Sequence, residues 1–167
     1  MKRTTVFISI AVCLIFQLNG FSTENKVCDF LKNSLPKFGN TKDEIIKNLG
    51  KPDKISIQEF DNMWYPGQKD YVNSLSYSGL LLETLYLYQK ENTFEYTLTV
   101  EVTSEEYVLY YGLRVGSTKK DVLSTLGNPE EISEKEKYWL YSCEVEKVYF
   151  YFQGDKVIKI SCHGYFP

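Results

Sequence analysis

The sequence predicts an α+β protein of two tandem repeat units, each a short capped helix (or helix pair) packed on an antiparallel sheet of about three strands. Three observations predict it. An internal segment recurs without a gap, both copies carry the same helix start and stop signals, and period-two aromatic runs follow each helix.

The repeat reads GNTKDEIIKNLGKPDKIS from Gly39 and GSTKKDVLSTLGNPEEIS from Gly116. Gly39, Thr41, Lys42, Leu49, Gly50, Pro52, Ile55 and Ser56 recur as Gly116, Thr118, Lys119, Leu126, Gly127, Pro129, Ile132 and Ser133. Glu44 becomes Asp121, Ile45 becomes Val122 and Ile46 becomes Leu123, exchanges that keep the chemistry. Thr41 with Glu44, and Thr118 with Asp121, have capping-box spacing, in which a hydroxyl and a carboxylate satisfy orphan backbone N–H groups. Ile45, Ile46 and Leu49, like Val122, Leu123 and Leu126, fall on one helical face. Gly50 and Gly127 suit a left-handed helix exit, and Pro52 and Pro129 block continuation.

Strands are expected after each helix. In the second unit they run over residues 137–143, 145–153 and 156–163, the last two joined by a tight Gly154-Asp155 turn. In the first they run over 75–78, 81–89 and 93–103, after a loop insertion from Trp64 to Ser74 that contains Pro66-Gly67. The expected organisation is a signal peptide at 1–22, an N-terminal helix at 23–36, repeat unit 1 at 37–103, a connector at 104–113 and repeat unit 2 at 114–167.

The first 22 residues set the address. Lys2 and Arg3 precede an apolar run from Val6 to Phe16, and Gly20-Phe21-Ser22 offers small residues for cleavage after Ser22. The run falls short of the ~20 apolar residues a membrane-crossing helix needs. Cys13 and Cys28 each follow a valine (Val12, Val27), which argues against lipidation at either. The chain is therefore expected to be exported, to periplasm or medium, with no transmembrane segment after cleavage.

Removing those residues takes two basic charges and no acidic ones from a chain of net charge −3. What remains is more acidic and has no basic cluster, which argues against nucleic acid as a partner. Cys28, Cys143 and Cys162 survive, and an oxidising compartment permits one pair. Strand parity puts Cys143 with Trp139 and Tyr141, and Cys162 with Ile158 and Ile160, so a Cys143–Cys162 bridge is the expected pairing.

Tyrosine is the most suggestive functional feature. All fourteen tyrosines lie after residue 22. Alternation puts Tyr86 and Tyr88 on one face of their strand, and Tyr149 and Tyr151 on one face of theirs. Tyrosine combines a large rigid contact area with a hydroxyl, as recognition surfaces require. It also suits any half-solvated sheet through propensity and cross-strand packing. Trp64, followed by Tyr65-Pro66-Gly67, reads as a loop tryptophan, whereas Trp139 shares parity with Cys143 and reads as core. The candidate interface is thus Trp64, Tyr65, Tyr86, Tyr88, Tyr149 and Tyr151.

Catalytic parts are scarce. His163 is the only histidine, and it neighbours Cys162 in a strand, where adjacent side chains point to opposite faces. The cysteines include no C-x-x-C pair. G-x-S-x-G and Gly-rich phosphate loops are not found. Acidic pairs at Glu105-Glu106, Glu130-Glu131 and Glu144/Glu146 sit beside turns. No catalytic residue, metal ligand or cofactor is assigned.

The repeated Gly-x-Thr-Lys helix, its Leu-Gly-x-Pro exit and the aromatic strands resemble a helix-helix-sheet module shared by two groups of bacterial proteins. These are the secreted β-lactamase inhibitor proteins, tandems of two units, and the small outer-membrane lipoproteins of the β-barrel assembly machinery, single units. The resemblance implies helices on one sheet face and a partner protein on the other face or its loops. This chain lacks the lipidated cysteine of the lipoproteins and the one-bridge-per-unit cysteine spacing of the inhibitors, so neither specific activity transfers. The expected function is an exported protein-binding module, with an inhibitor as its sharper form. A structural accessory of the cell envelope is the alternative, and a secreted hydrolase stands third.

Overall fold

Thr41 and Thr118 start two short helices in the way their spacing demands. The computed structural model describes residues 26–90 and 92–165, so the signal peptide expected at 1–22 lies outside the described residues. Helix α1 covers residues 26–34 and passes into a 3-10 turn, Leu35–Phe38, that accommodates Pro36. In α3 (Lys119–Leu126), Thr118 Oγ1 accepts the Asp121 N–H at 3.0 Å while Asp121 accepts the Thr118 N–H at 2.7 Å, which closes the capping box. In α2 (Lys42–Leu49), Thr41 Oγ1 accepts the Glu44 N–H, but the Glu44 carboxylate accepts from Asn40 instead. Glutamate is one methylene longer than aspartate, and its carboxylate reaches one residue further back. Gly50 and Gly127 close the two helices with φ of 82° and 84°, where a β-carbon would be strained.

Eight strands follow: β1 (Lys54–Asp61), β2 (Lys69–Tyr77), β3 (Leu80–Gln89), β4 (Asn92–Val102), β5 (Glu131–Ser133), β6 (Tyr138–Cys143), β7 (Glu146–Gln153) and β8 (Lys156–His163). They form one antiparallel sheet in the order β1-β2-β3-β4-β8-β7-β6-β5. This overturns the expectation of two tandem units, each with its own sheet of about three strands. The two halves meet where β4 pairs with β8, from Thr99 opposite His163 to Val102 opposite Ile160. A three-stranded sheet under one eight-residue helix would leave two open edges and a marginal core. Joining the inner edges makes one core and leaves β1 and β5 as the only sheet edges among the described residues.

Two strands went unread. β1 is exposed along almost its whole length, so no burial alternation marks it, and β5 has only three residues. The expected loop from Trp64 to Ser74 is also shorter than read, because β2 begins at Lys69.

The core lies between the sheet and the helices. Leu75, Leu82, Val100, Cys162 and Val148 follow one another across five strands in register and are buried under α1, α2 and α3. Phe30 of α1 meets Phe150 of β7 at 5.9 Å, and Ile45, Val122 and Leu126 carry the other two helices into the same cluster. Tyr77 of β2 and Tyr141 of β6 play matching parts, each donating its hydroxyl to the carbonyl of a helix-ending glycine, Gly50 at 3.1 Å and Gly127 at 3.0 Å. The connector contributes Leu109 and Leu113 to the core and a 3-10 turn at Tyr110–Gly112, where the Tyr110 N–H donates to Ser34 Oγ of α1.

The disulfide joins Cys28 of α1 to Cys143 of β6, not Cys143 to Cys162. Both strand cysteines do face the helices, but β7 lies between β6 and β8. Two strand spacings amount to roughly 9.6 Å, beyond the ~7 Å that a bridge spans. Cys162 stays a free thiol, fully buried, and burial pushes its pKa well above the ordinary range.

Candidate functional site

Every described helix packs on one face of the sheet, so the register identifies what the other face presents. Side chains one residue out of step with the core row point there. One such row runs Leu81, Glu101, Ser161, Tyr149 and Leu140, and the next runs Glu83, Thr99, His163 and Lys147. Tyr151 and Tyr138 oppose each other beside the first row.

The tyrosines of this face form one cluster. Tyr138 meets Tyr149 edge-on at 5.2 Å and Tyr151 at 5.8 Å, and Tyr149 stacks near Tyr151 at 6.3 Å. His163 closes the group, edge-on to Tyr149 at 5.7 Å. Lys159 Nζ lies 4.3 Å from the Tyr151 ring centroid while bonding Glu101 at 3.2 Å, so a cation–π contact and an ion pair share one ammonium. Tyr138 donates its hydroxyl to Glu131 at 2.7 Å, which pushes its pKa up to about 12 and keeps it a donor at neutral pH. The cluster is half-buried by its own side chains, with polar tips outward.

Ser161 Oγ and His163 Nε2 lie 2.9 Å apart, so the single histidine of the sequence does meet a serine. The serine is only 3% exposed, sealed by the neighbouring strands. Burial lowers the His163 pKa, helped by Lys159 and opposed by Glu83 and Glu101. Among the described residues no hydrogen bond orients the other ring nitrogen, as a catalytic base would need. Cys162 turns to the helix side and is not a partner for His163.

The six residues singled out from sequence fall in three places. Tyr149 and Tyr151 are in the cluster. Tyr86 points to the helix side, because it stands four residues from Leu82 on the same strand; there it meets Tyr71 edge-on at 5.8 Å. Tyr88 lies at the end of β3, edge-on to Tyr65 at 5.8 Å. Trp64 sits in the β1–β2 loop, 80% exposed, beside Met63 at 83%.

That loop is held from beneath. Asn62 is buried, and its side-chain oxygen accepts the N–H groups of Trp64 (2.9 Å) and Tyr65 (2.8 Å). Its amide nitrogen donates to Asp70 and to the Tyr88 carbonyl. A pocket of about 270 Å³ lies below the loop, with Phe60, Leu85 and Leu87 among its walls. Trp139 takes a different place, half-buried on the helix side against Phe152 at 4.9 Å.

Sequence reasoning missed Tyr138, Lys159 and Ser161 as members of the cluster. Tyr138 was available: once Trp139 and Tyr141 are given to the core face, its parity sends it to the other. Lys159 and Ser161 needed the β7–β8 register, which alternation within one strand does not supply.

The fold and this face define a one-sided antiparallel sheet protein with a bridged N-terminal helix. No family model and no curated protein matches the chain. Among solved structures it is similar to an extracellular protein containing an SCP domain from Bacillus anthracis str. Ames, at 12% identity and TM-score 0.48 over 74% of this chain and 42% of that one. It is also similar to a DUF4309 family protein from Bacillus subtilis subsp. subtilis str. 168, at 11% identity and TM-score 0.39 over 84% of this chain and 99% of that one. The chain thus spans less than half the length of the first.

Proposed function

We propose that this is an exported protein-binding module whose open sheet face, centred on Tyr149 and Tyr151, receives a partner protein. The observation that carries the reading is the asymmetry of the sheet. All described helices lie on one side, and the other side holds Tyr138, Tyr149, Tyr151, Lys159 and His163 in mutual contact. Rings already fixed by their neighbours lose little entropy on binding, and the Tyr149 and Tyr151 hydroxyls make no hydrogen bond among the described residues. The Cys28–Cys143 bridge fits a chain that folds in an oxidising compartment. Among the described residues no helix is long and apolar enough to cross a membrane. Inhibition of that partner is the sharper form of this reading.

Affinity capture from envelope and medium fractions tests this. The bait is the exported chain, run beside a Tyr149→Ala/Tyr151→Ala variant with an unchanged circular dichroism spectrum. A dominant protein retained by the first and lost by the second is the expected result. Equal retention by both would remove this face from the interface.

A further inference from the structure

A second binding surface lies at the opposite face and the far edge of the sheet. We propose that the outer edge of β1, with the groove beside it, receives an extended peptide segment of a partner protein carrying a basic side chain. This goes beyond the reading above, since it uses none of the open-face tyrosines.

The edge is unusually available. Among the described residues β1 pairs with β2 alone, in unbroken register from Lys54 opposite Ser76 to Asp61 opposite Lys69. Proteins normally blunt such edges by shortening them, by bulges or by proline. The other edge follows that rule, as β5 has three residues. β1 has eight residues with neither proline nor bulge, and its central stretch from Ile55 to Gln58 is uncharged. Ile57 is 58% exposed. The backbone groups of β1 that face away from β2 can add a ninth strand from another chain.

The groove supplies the specificity. It has a volume of about 570 Å³ and lies on the helix side of the same edge, between β1 and the start of α2. Register lines up Glu59, Tyr71, Tyr86 and Glu95 in a single row across β1, β2, β3 and β4. Two carboxylates therefore flank a pair of tyrosine rings. Glu95 is committed, accepting the Lys42 N–H at 2.9 Å and the Thr84 hydroxyl at 2.6 Å. The Glu59 carboxylate is exposed and makes no side-chain hydrogen bond or ion pair among the described residues; the nearby Lys69, which feels its charge, is bonded to Asp61. Lys42 and Asp43 are the other charged groups on the groove, so three carboxylates stand against one ammonium. A lysine or arginine on an added strand would lie over the tyrosine faces and pair with Glu59 across the new ladder.

The test titrates the exported chain with blocked fluorescent peptides of alternating threonine and valine around a central residue, read by polarisation. The lysine-centred peptide should bind, and a glutamate-centred one should bind on the order of tenfold more weakly. Glu59→Lys should reverse that order, and N-methylation of alternate peptide amides should abolish binding by removing ladder donors. The Tyr149→Ala/Tyr151→Ala variant should bind the lysine peptide as well as the parent chain does. Equal binding of the two peptides, or none at millimolar concentration, overturns the proposal. Loss of binding in the tyrosine variant also overturns it, by moving the peptide to the open face. Success here beside failure of capture on the tyrosine face would leave the edge as the binding site.

Discussion

Cys28 and Cys143 bond the first described helix to the sixth strand across 115 residues, with their α-carbons 5.1 Å apart. The bridge ties α1, whose Phe30 packs on Phe150 of β7, to the half of the sheet that lies further along the chain. Closing so long a loop removes much of the freedom of the unfolded chain, so Cys28→Ala/Cys143→Ala should lower stability by about 2–5 kcal/mol. Urea denaturation with and without reductant measures it. An identical midpoint in both would mean that the bridge contributes nothing to folding.

The capping box makes a prediction with a sign. Asp121 has its pKa lowered by hydrogen bonds from the Thr118 side chain and backbone, the side chain contributing more. A carboxyl held lower in the folded state stabilises that state above its unfolded pKa, near 3.8, and the gain is lost as pH falls through the folded value. Asp121→Asn should therefore lower the melting temperature at pH 7 and make no difference near pH 2. Thr118→Ala removes the other half of the box and should cost about 1 kcal/mol at neutral pH. A deficit in Asp121→Asn that persisted at pH 2 would assign the effect to packing.

What the sequence made legible was local. Thr41, Gly50, Thr118 and Gly127 act within one turn of the chain, and their chemistry alone starts and stops α2 and α3. Parity likewise placed Tyr149 with Tyr151 and turned Cys143 and Cys162 toward the helices. What it could not reveal was which strand lies beside which. The pairing of Val100 with Cys162 makes one sheet of two halves, and β7 between β6 and β8 forbids the expected bridge. The same long-range register sends Tyr86 and Tyr149 to opposite faces, although each reads alike in its own strand.

His163 should titrate below its ordinary value of 6.5, because burial disfavours the imidazolium more than Glu83 and Glu101 favour it. The sign follows from proton uptake. As pH falls below 6.5 the unfolded chain binds the proton first, so stability present above that pH is lost on the way down to the folded pKa. The imidazole C–H resonances should show a midpoint under 6.5, and His163→Gln should flatten the stability profile between pH 7 and 5. A midpoint at or above 6.5 would mean that the two glutamates outweigh burial.

Asn62 is the support on which the exposed Trp64 stands, and the two properties should separate by mutation. Trp64→Ala removes a side chain that is mostly in solvent, so folding stability should change by less than about 0.5 kcal/mol. Asn62→Ala instead strands the Trp64 and Tyr65 N–H groups and empties a buried amide site between Asp70 and the Tyr88 carbonyl. Unmade buried hydrogen bonds of this kind cost about 1–3 kcal/mol. Local order should suffer too: amide exchange at Trp64 and Tyr65 should accelerate, and Trp64 fluorescence anisotropy should fall. If Asn62→Ala left exchange and anisotropy unchanged, the loop would be held by its backbone bonds (Asn62 N–H to Gln68, Gln68 N–H to Tyr65), the Tyr65–Tyr88 contact and the Lys69–Asp61 ion pair. If they change as expected while the core stays folded, the exposed Met63-Trp64 tip is a preorganised projection, positioned by the buried asparagine below it.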